Sequence, residues 1–150
     1  MNIKEQLYKL CQNYVNQRLQ TVEAIITSNQ KALQSETKSS AGDKHETSRA
    51  MAHLENERLG RQLEILNLQL ETIYSINPKS TNPNITLGSI IECMDFTFFI
   101  STGLGKLKLA NGFLFYAIAI ESPIGKQLIS KKVNDTILVG KNLQTIDKIM

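Results

Sequence analysis

The chain has 150 residues, of which 41% are hydrophobic, and its 17 Lys and Arg against 14 Asp and Glu give a formal net charge of +3. This length and composition indicate one ordinary domain or two small ones and are typical of a globular chain. The longest apolar run, FLFYAIAI at 113–120, is too short to span a membrane, and the polar start MNIKEQLYKLCQ does not resemble a signal peptide, so we expect a cytoplasmic protein that binds no membrane. The basic excess lies in residues 77–150 and is too small to indicate nucleic acid or an acidic partner by itself.

The sequence lacks the residue patterns of common catalytic and metal sites. Cys11 and Cys93 lie far apart without CxxC spacing, which predicts two reduced, structural thiols and neither a zinc site nor a disulfide. The segment GLGK at 103–106 lacks the spacing of a phosphate-binding loop, and Ser122 has no nearby pair of a His and an acid. We therefore interpret GLGK as a turn and the segment at Ser122 as a determinant of the fold.

The first half of the chain predicts two long helices. From Ile3 to about Ala32 there is no Pro or Gly, and apolar residues recur at helical spacing. A second apolar series, at steps of seven, four, three, four and three, has the spacing of a coiled-coil seam and comprises Ala52, Leu59, Leu63, Leu66, Leu70 and Ile73. These two patterns predict an antiparallel helical hairpin.

The two apolar series also predict where the hairpin reverses. In an antiparallel pair, facing residues are equidistant from one point in the chain. That point lies between Gly42 and Asp43 for each of the pairs Leu33/Ala52, Ile26/Leu59, Val22/Leu63, Leu19/Leu66 and Val15/Leu70. The local sequence SSAGD supplies small residues and a Gly for the turn. The hairpin tip, at about 40–47, should therefore present Asp43 and Glu46 at the end of an arm of roughly 40 Å.

The second half predicts a separate α+β domain. NPKSTNPN at 77–84 reads as a linker, which places the hairpin at 1–76 and the second domain at 85–150. Six strand-like runs follow, separated by turn signals. Between the fourth and fifth runs, Ser122 can cap a short helix that has Pro123 at its first position. The expected fold is an antiparallel sheet with one short helix packed on it.

Three short motifs, in this order and spacing, are similar to those of one family. The segment SPIGKQLISKKVNDTILV at 122–139 resembles a Ser-Pro-(Leu/Ile)-Gly-x-x-Leu segment that is followed by a Val-Gly-Asp turn and a strand. Leu87-Gly88-Ser89 is similar to the opening of the same domain, and Gly42-Asp43-x-x-Glu46 matches a Gly-Asp-x-x-Glu tip. Along nearly its whole length, the chain resembles the bacterial Gre transcript-cleavage factors, GreA and GreB.

The resemblance implies a helical hairpin followed by a domain like that of the FK506-binding proteins (FKBP-like), with RNA polymerase as the partner. The globular domain would dock at the polymerase, with Ser122, Pro123, Ile124 and Gly125 as docking candidates, and a monomer would insert its hairpin into the secondary channel. In a backtracked complex, Asp43 and Glu46 would help to hold the polymerase's second Mg²⁺ and a water, and the polymerase would then hydrolyse the RNA. The chain would thus activate the polymerase's own hydrolysis and not be an enzyme alone, and it would need no cofactor of its own. Candidates for contact with the nascent RNA 3′ end are Lys38, Lys44 and Arg49.

The tip allows more than one interpretation. Carboxylates suit Mg²⁺, but Asp43 and Glu46 also have the spacing of a helix capping box, and both roles can coexist. The family usually continues Asn-Ala-(Glu/Asp)-Tyr after the tip Glu, whereas this chain has Thr47-Ser48-Arg49-Ala50. A channel regulator without cleavage activity therefore stays open, as does a structural coiled-coil adaptor unrelated to polymerase. Ser130 and Asn134 stand where the family often has Gly, which should affect turn geometry.

Overall fold

The computed structural model describes residues 2–36 and 42–150, apart from the side chains of 35, 36 and 42–45. The chain divides into two compact units. One consists of the residues up to Asn13 together with Glu71–Met150, and the other, here called the hairpin unit, is Tyr14–Leu70. The boundaries expected for hairpin, linker and second domain stay a prediction.

The two predicted helices are present and are longer than their apolar patterns suggest. Helix α1 spans Ile3–Glu36 and helix α2 spans Gly42–Tyr74. At the start of α1, the Asn2 side-chain oxygen accepts a hydrogen bond from the Glu5 backbone N–H at 2.8 Å, as an N-cap does. The helices continue beyond the last periodic residue because the flanking segments contain good helix formers and no Pro.

The hairpin unit is held together by an apolar seam between the two helices. Val15, Leu19 and Val22 of α1 are buried, and so are Leu59 and Leu66 of α2. We call the facing apolar residues of the two helices the inner seam.

A polar pair confirms the predicted register of the inner seam. The Asn29 amide donates a hydrogen bond to the Asn56 side-chain oxygen at 3.1 Å, and both residues are half-buried. Asn29 and Asn56 are equidistant from the predicted reversal point. A single polar pair within an apolar seam disfavours shifted pairings, because a shift would leave its buried groups without partners.

The second half forms one six-stranded sheet, with the short predicted helix as α3. The strand order is β3-β4-β2-β1-β6-β5. The elements are β1 Ile90–Cys93, β2 Thr97–Ser101, β3 Gly105–Lys108, β4 Leu114–Ala119, α3 Pro123–Leu128, β5 Thr136–Val139 and β6 Asn142–Ile149. The predicted α+β architecture is thus confirmed.

One strand pair differs from the expected antiparallel arrangement. Strands β2 and β4 are parallel, with Phe98 opposite Tyr116, whereas the other pairs are antiparallel. The chain leaves β2, forms β3 at the sheet edge, and returns as β4 between β3 and β2. Apolar patterning predicts that a segment is a strand, but it carries no information on the direction of the neighbouring strand.

Both faces of the sheet contain buried side chains. Residues of one face form a cluster that also takes in Leu128 of α3; its fully buried members include Ile91, Phe98, Ile100, Ile137 and Ile146. Residues that alternate with these are also buried, and among them Phe99 and Phe115 make an edge-to-face contact with centroids 6.3 Å apart. A sheet buried on both faces explains why β2 and β4 read as continuous apolar runs.

The start of α1 belongs to the same compact unit as the sheet and makes polar contacts within it. The Lys4 ammonium donates to the Ser80 carbonyl at 3.0 Å, and burial lowers the pKa of Lys4. The Cys11 thiol is fully buried near the Ser101 hydroxyl. That hydroxyl has no partner of good hydrogen-bond geometry, so we treat its contact with the sulfur as weak. Burial raises the pKa of Cys11 to about 12, against a small opposing effect of Ser101.

The buried Cys11 thiol should make the protein less stable at alkaline pH. The unfolded thiol ionises near pH 9, whereas the folded one stays protonated to about pH 12. Within this window the unfolded state binds fewer protons, so the free energy of unfolding falls as pH rises. Between pH 8 and pH 10, urea denaturation should show the wild type losing about 1 kcal/mol more than Cys11→Ala. If the unfolding free energies of the two proteins fell in parallel with pH, Cys11 would not be the cause of the loss.

The turn after α3 contains two residues in a left-handed conformation. Ser130 has φ 75° and Asn134 has φ 77°, and both are exposed. This confirms that the positions where the family often has Gly are positions of unusual turn geometry. A left-handed conformation is costly for Ser, whereas Asn tolerates it better.

Ser130→Gly should therefore stabilise the protein, by about 0.5 kcal/mol, because relief of backbone strain exceeds the entropic cost of Gly. Asn134→Gly should be close to neutral. As a control, Lys132→Gly in the same turn should destabilise by about 0.5–1 kcal/mol, because Lys132 has no left-handed conformation to relieve. Urea midpoints measure all three, and a lower midpoint for Ser130→Gly than for Lys132→Gly would refute the strain argument.

Candidate functional site

The predicted acid pair lies at the start of α2. Because α2 begins at Gly42, Asp43 and Glu46 belong to its first two turns, and residues three apart share one helix face. The Glu46 side chain is exposed. The Asp43 side chain lies outside the described residues, so the capping and the metal-binding roles of the pair both stay predictions.

The predicted RNA-contact residues are placed only in part. Lys38 and the side chain of Lys44 lie outside the described residues, whereas Arg49 is half-buried in α2. The divergent residues Thr47 and Ser48 are exposed. The segment after the tip thus presents hydroxyl groups and a guanidinium where the family usually has an acid and an aromatic side chain.

Among the side chains that the structure describes in residues 2–36 and 42–150, no three His, Cys, Asp or Glu residues come together in a way that could hold a metal ion. In the same part of the chain, no helix is both long enough and apolar enough to cross a membrane.

Burial raises the pKa of the Cys93 thiol to about 11, and the nearby Asp147 carboxylate adds to this effect. The Cys93 thiol is therefore protonated at neutral pH.

The predicted cap of α3 is confirmed. Ser122 is the N-cap, and its hydroxyl accepts a hydrogen bond from the Gly125 N–H at 3.0 Å while it donates one to the Ala119 carbonyl at 2.7 Å. Pro123 occupies the first turn and is exposed. Ser122 therefore joins the end of β4 to the start of α3, and this contact fixes the direction in which α3 leaves the sheet.

Gly125 is required by a close approach of two backbone segments. A Cβ atom at this position would lie 2.4 Å from the Ala119 carbonyl oxygen and 2.6 Å from that of Ile120, both of which are backbone atoms. The neighbouring Ile124 is half-buried against the sheet cluster. Of the four docking candidates, Ser122, Ile124 and Gly125 thus have structural roles, and Pro123 offers the exposed surface.

The sequence did not indicate the role of Gln127. Its side-chain amide donates to the Leu138 carbonyl and accepts from the Leu138 N–H, both at 2.9 Å. Leu138 lies in β5, which forms one edge of the sheet. A Gln in a short helix gives no signal of a partner eleven residues away, so only the structure reveals this contact.

Two exposed Leu side chains lie on the strands next to α3. Leu138 of β5 and Leu143 of β6 face each other in register and are 47% and 72% exposed. The same stretch of chain contributes four lysines, Lys126, Lys131, Lys132 and Lys141. Adjacent exposed Leu side chains are typical of a protein-binding surface.

Comparison with known proteins gives little beyond the fold described above. No protein family model matches the chain, and no curated protein matches it. Among solved structures it is similar to that of the transcription factor Gfh1, with 21% sequence identity over 91% of this chain and 90% of that chain and a TM-score of 0.35. These values are too low to establish a shared family or activity.

Gly125→Ala should lower the free energy of unfolding by about 2–3 kcal/mol, because the added methyl group collides with backbone that cannot move independently. Gly60 in α2 is the matched control, since a Cβ there meets nothing within 4 Å. Gly60→Ala should raise stability by about 0.5–1 kcal/mol through its helix propensity. Urea denaturation followed by circular dichroism measures both, and similar midpoints for the two variants would contradict the close-approach argument.

Proposed function

We propose that this protein is a Gre-like transcription elongation factor. It binds RNA polymerase, inserts its hairpin into the secondary channel, and stimulates the polymerase's own cleavage of backtracked RNA. The observation that carries the proposal is the position of Asp43 and Glu46 in the first two turns of α2, directly after the reversal of an antiparallel hairpin of fixed register. The Gre-like motifs at the tip and at Ser122–Gly125 support it.

The length of the helices suits delivery of carboxylates to a buried site. From Tyr14 to Glu36, α1 extends for about 35 Å at 1.5 Å per residue. Its partner α2 runs antiparallel along the inner seam, so the acids lie at the end where α1 stops and α2 starts. A narrow two-helix hairpin can enter a channel that excludes a globular domain.

The carboxylates match the chemistry of phosphodiester hydrolysis. Mg²⁺ prefers hard oxygen ligands, and when bound at a two-metal site it activates water and stabilises the leaving oxygen. Asp43 and Glu46 supply two carboxylates, so the polymerase would contribute the remaining ligands. In this proposal Asp43 binds the metal, and Glu46 binds the metal or orients the attacking water. The cations Lys38, Lys44 and Arg49 would contact RNA phosphates.

The residues that follow the tip favour a second candidate function, that of a channel regulator without cleavage activity. Thr47 and Ser48 are exposed, and Arg49 adds a positive charge three residues after Glu46. An arginine that reached these carboxylates would compete with a metal ion for them. A factor with such a tip would occupy the channel and compete with a cleavage factor without shortening RNA.

The deciding experiment uses backtracked elongation complexes and Asp43→Asn. We expect the wild type to accelerate RNA shortening, and the variant to lose this acceleration by about 100-fold or more, because a group that stabilises developing charge is removed. Polymerase binding, measured by fluorescence anisotropy, should be unchanged. Glu71→Gln, an exposed acid later in α2, serves as the matched control and should cleave like the wild type.

Each result decides between the candidates. Wild-type binding without RNA shortening would establish the channel regulator in place of the cleavage factor. Equal shortening by wild type and Asp43→Asn would refute the role of the tip acids. Failure to bind polymerase at any salt concentration would favour the structural adaptor and overturn the proposal.

A further inference from the structure

Helix α2 carries a second heptad series on a face other than the inner seam. Its members follow one another at steps of four, three, four, three, four and three, the spacing of a coiled-coil interface. We call this series the outer stripe, and it consists of Thr47, Met51, Leu54, Arg58, Arg61, Ile65 and Leu68. The inner seam explains the fold of the hairpin unit, but it leaves the outer stripe unexplained.

The outer stripe exposes large apolar side chains. Met51 is 66% exposed, Leu54 65%, Ile65 57% and Leu68 63%. Single exposed apolar residues are common on protein surfaces, whereas four at heptad spacing along one helix are typical of a helix-binding surface.

A groove between the two helices adjoins the outer stripe. It has a volume of about 540 Å³ and is lined from α2 by Ile65, a member of the stripe. Tyr14 and Arg18 line it from α1, and the Arg18 guanidinium lies over the Tyr14 ring, 4.7 Å from its centroid. A helix placed along the stripe would therefore also contact α1 through this groove.

Two arginines hold contact positions at the centre of the outer stripe. Arg58 and Arg61 separate the two apolar halves of the stripe, and Arg18 is the charged residue that lines the groove. Glu55 pairs with Arg58 at 2.8 and 3.1 Å, and Glu57 and Glu64 flank the stripe near Arg61, so cations occupy the contact positions and acids the border. Carboxylates on the bound helix would complement these cations.

A second copy of this chain matches the apolar residues of the stripe but not its charges. In an antiparallel pair, Leu54 would face Ile65 of the second copy, and Arg58 would face Arg61. The flanking acids Glu57 and Glu64 would also face each other. A parallel pair would instead place Arg58 against Arg58. Like charges at these positions destabilise a coiled coil, and both orientations bring them together.

We propose that the outer stripe binds an amphipathic helix of another protein, with apolar residues at heptad spacing and Asp or Glu opposite Arg58 and Arg61. Apolar burial at Met51, Leu54 and Ile65 supplies affinity, and the central arginines select an acidic partner. This proposal does not rest on the elongation-factor function, and its test contains no polymerase.

The probe is a fluorescein-labelled synthetic helical peptide of three heptads, with Leu at the contact positions and Glu at the two central ones. A second peptide carries Lys at those two positions. By anisotropy, the wild type should bind the acidic peptide at least tenfold more tightly than the basic one, and the difference should shrink with added salt. Arg58→Glu combined with Arg61→Glu should reverse the preference. Lys106→Glu combined with Lys108→Glu on β3 makes the same change in net charge and should leave it intact.

The apolar contribution has its own test. Leu54→Gln combined with Ile65→Gln should weaken binding of the acidic peptide at least tenfold, whereas Met94→Gln, at an exposed apolar residue between β1 and β2, should not change it. Circular dichroism verifies that each variant is folded.

Four results would overturn the proposal. Binding of neither peptide, or equal binding of both, would remove the charge selection. A wild-type dimer in sedimentation that is lost in the Leu54→Gln, Ile65→Gln protein would assign the stripe to a second copy. Binding of single-stranded RNA that needs Arg58 and Arg61, without binding of the acidic peptide, would assign it to nucleic acid.

Discussion

The antiparallel pairing of α1 and α2 along the inner seam decides where every residue of the hairpin unit stands. Val15, Leu19 and Leu66 supply the buried area, and the hydrogen bond between Asn29 and Asn56 disfavours other registers. Successive residues of a helix differ by about 100° around its axis. A slip by one residue would therefore bury polar groups and expose the seam. The position of the tip acids and the direction of the outer stripe both follow from this register.

The sheet domain depends on a different kind of constraint, which is close backbone packing. Gly125 allows α3 to approach the end of β4, and the Ser122 hydroxyl bonds both segments. The Ser-Pro-Ile-Gly segment is thus needed to hold α3 against the sheet, whatever it contacts on a partner. Pro123 of α3, Leu138 of β5 and Leu143 of β6 are exposed, so folding and binding can use different residues of the same domain.

Features that depend on local chemistry or on a repeating pattern could be predicted from the sequence. The register of the hairpin followed from apolar spacing, the cap at Ser122 from residue type, and the unusual turn at Ser130 and Asn134 from the positions of Gly in the related motif. The parallel pairing of β2 with β4 could not be predicted, because strand patterning does not encode strand direction.

Side-chain contacts between distant segments were also beyond the sequence. Two such contacts join elements that come together only in the fold: that of Gln127 with Leu138 and that of Cys11 with Ser101. For the candidate site, the order of the acids along the chain was predictable and their position at the start of α2 is described. Whether the acids bind a metal ion depends on a partner protein, so the sequence of one chain cannot establish it.

The amide of Gln127 has a consequence for how this sheet can be recognised. It occupies both hydrogen-bonding groups of Leu138, in the middle of the edge strand β5. At the opposite edge, β3 presents Lys106 and Lys108, whose charges oppose the addition of a further strand. The domain is thereby protected from edge-to-edge polymerisation, and a partner must recognise its side chains instead of extending its sheet.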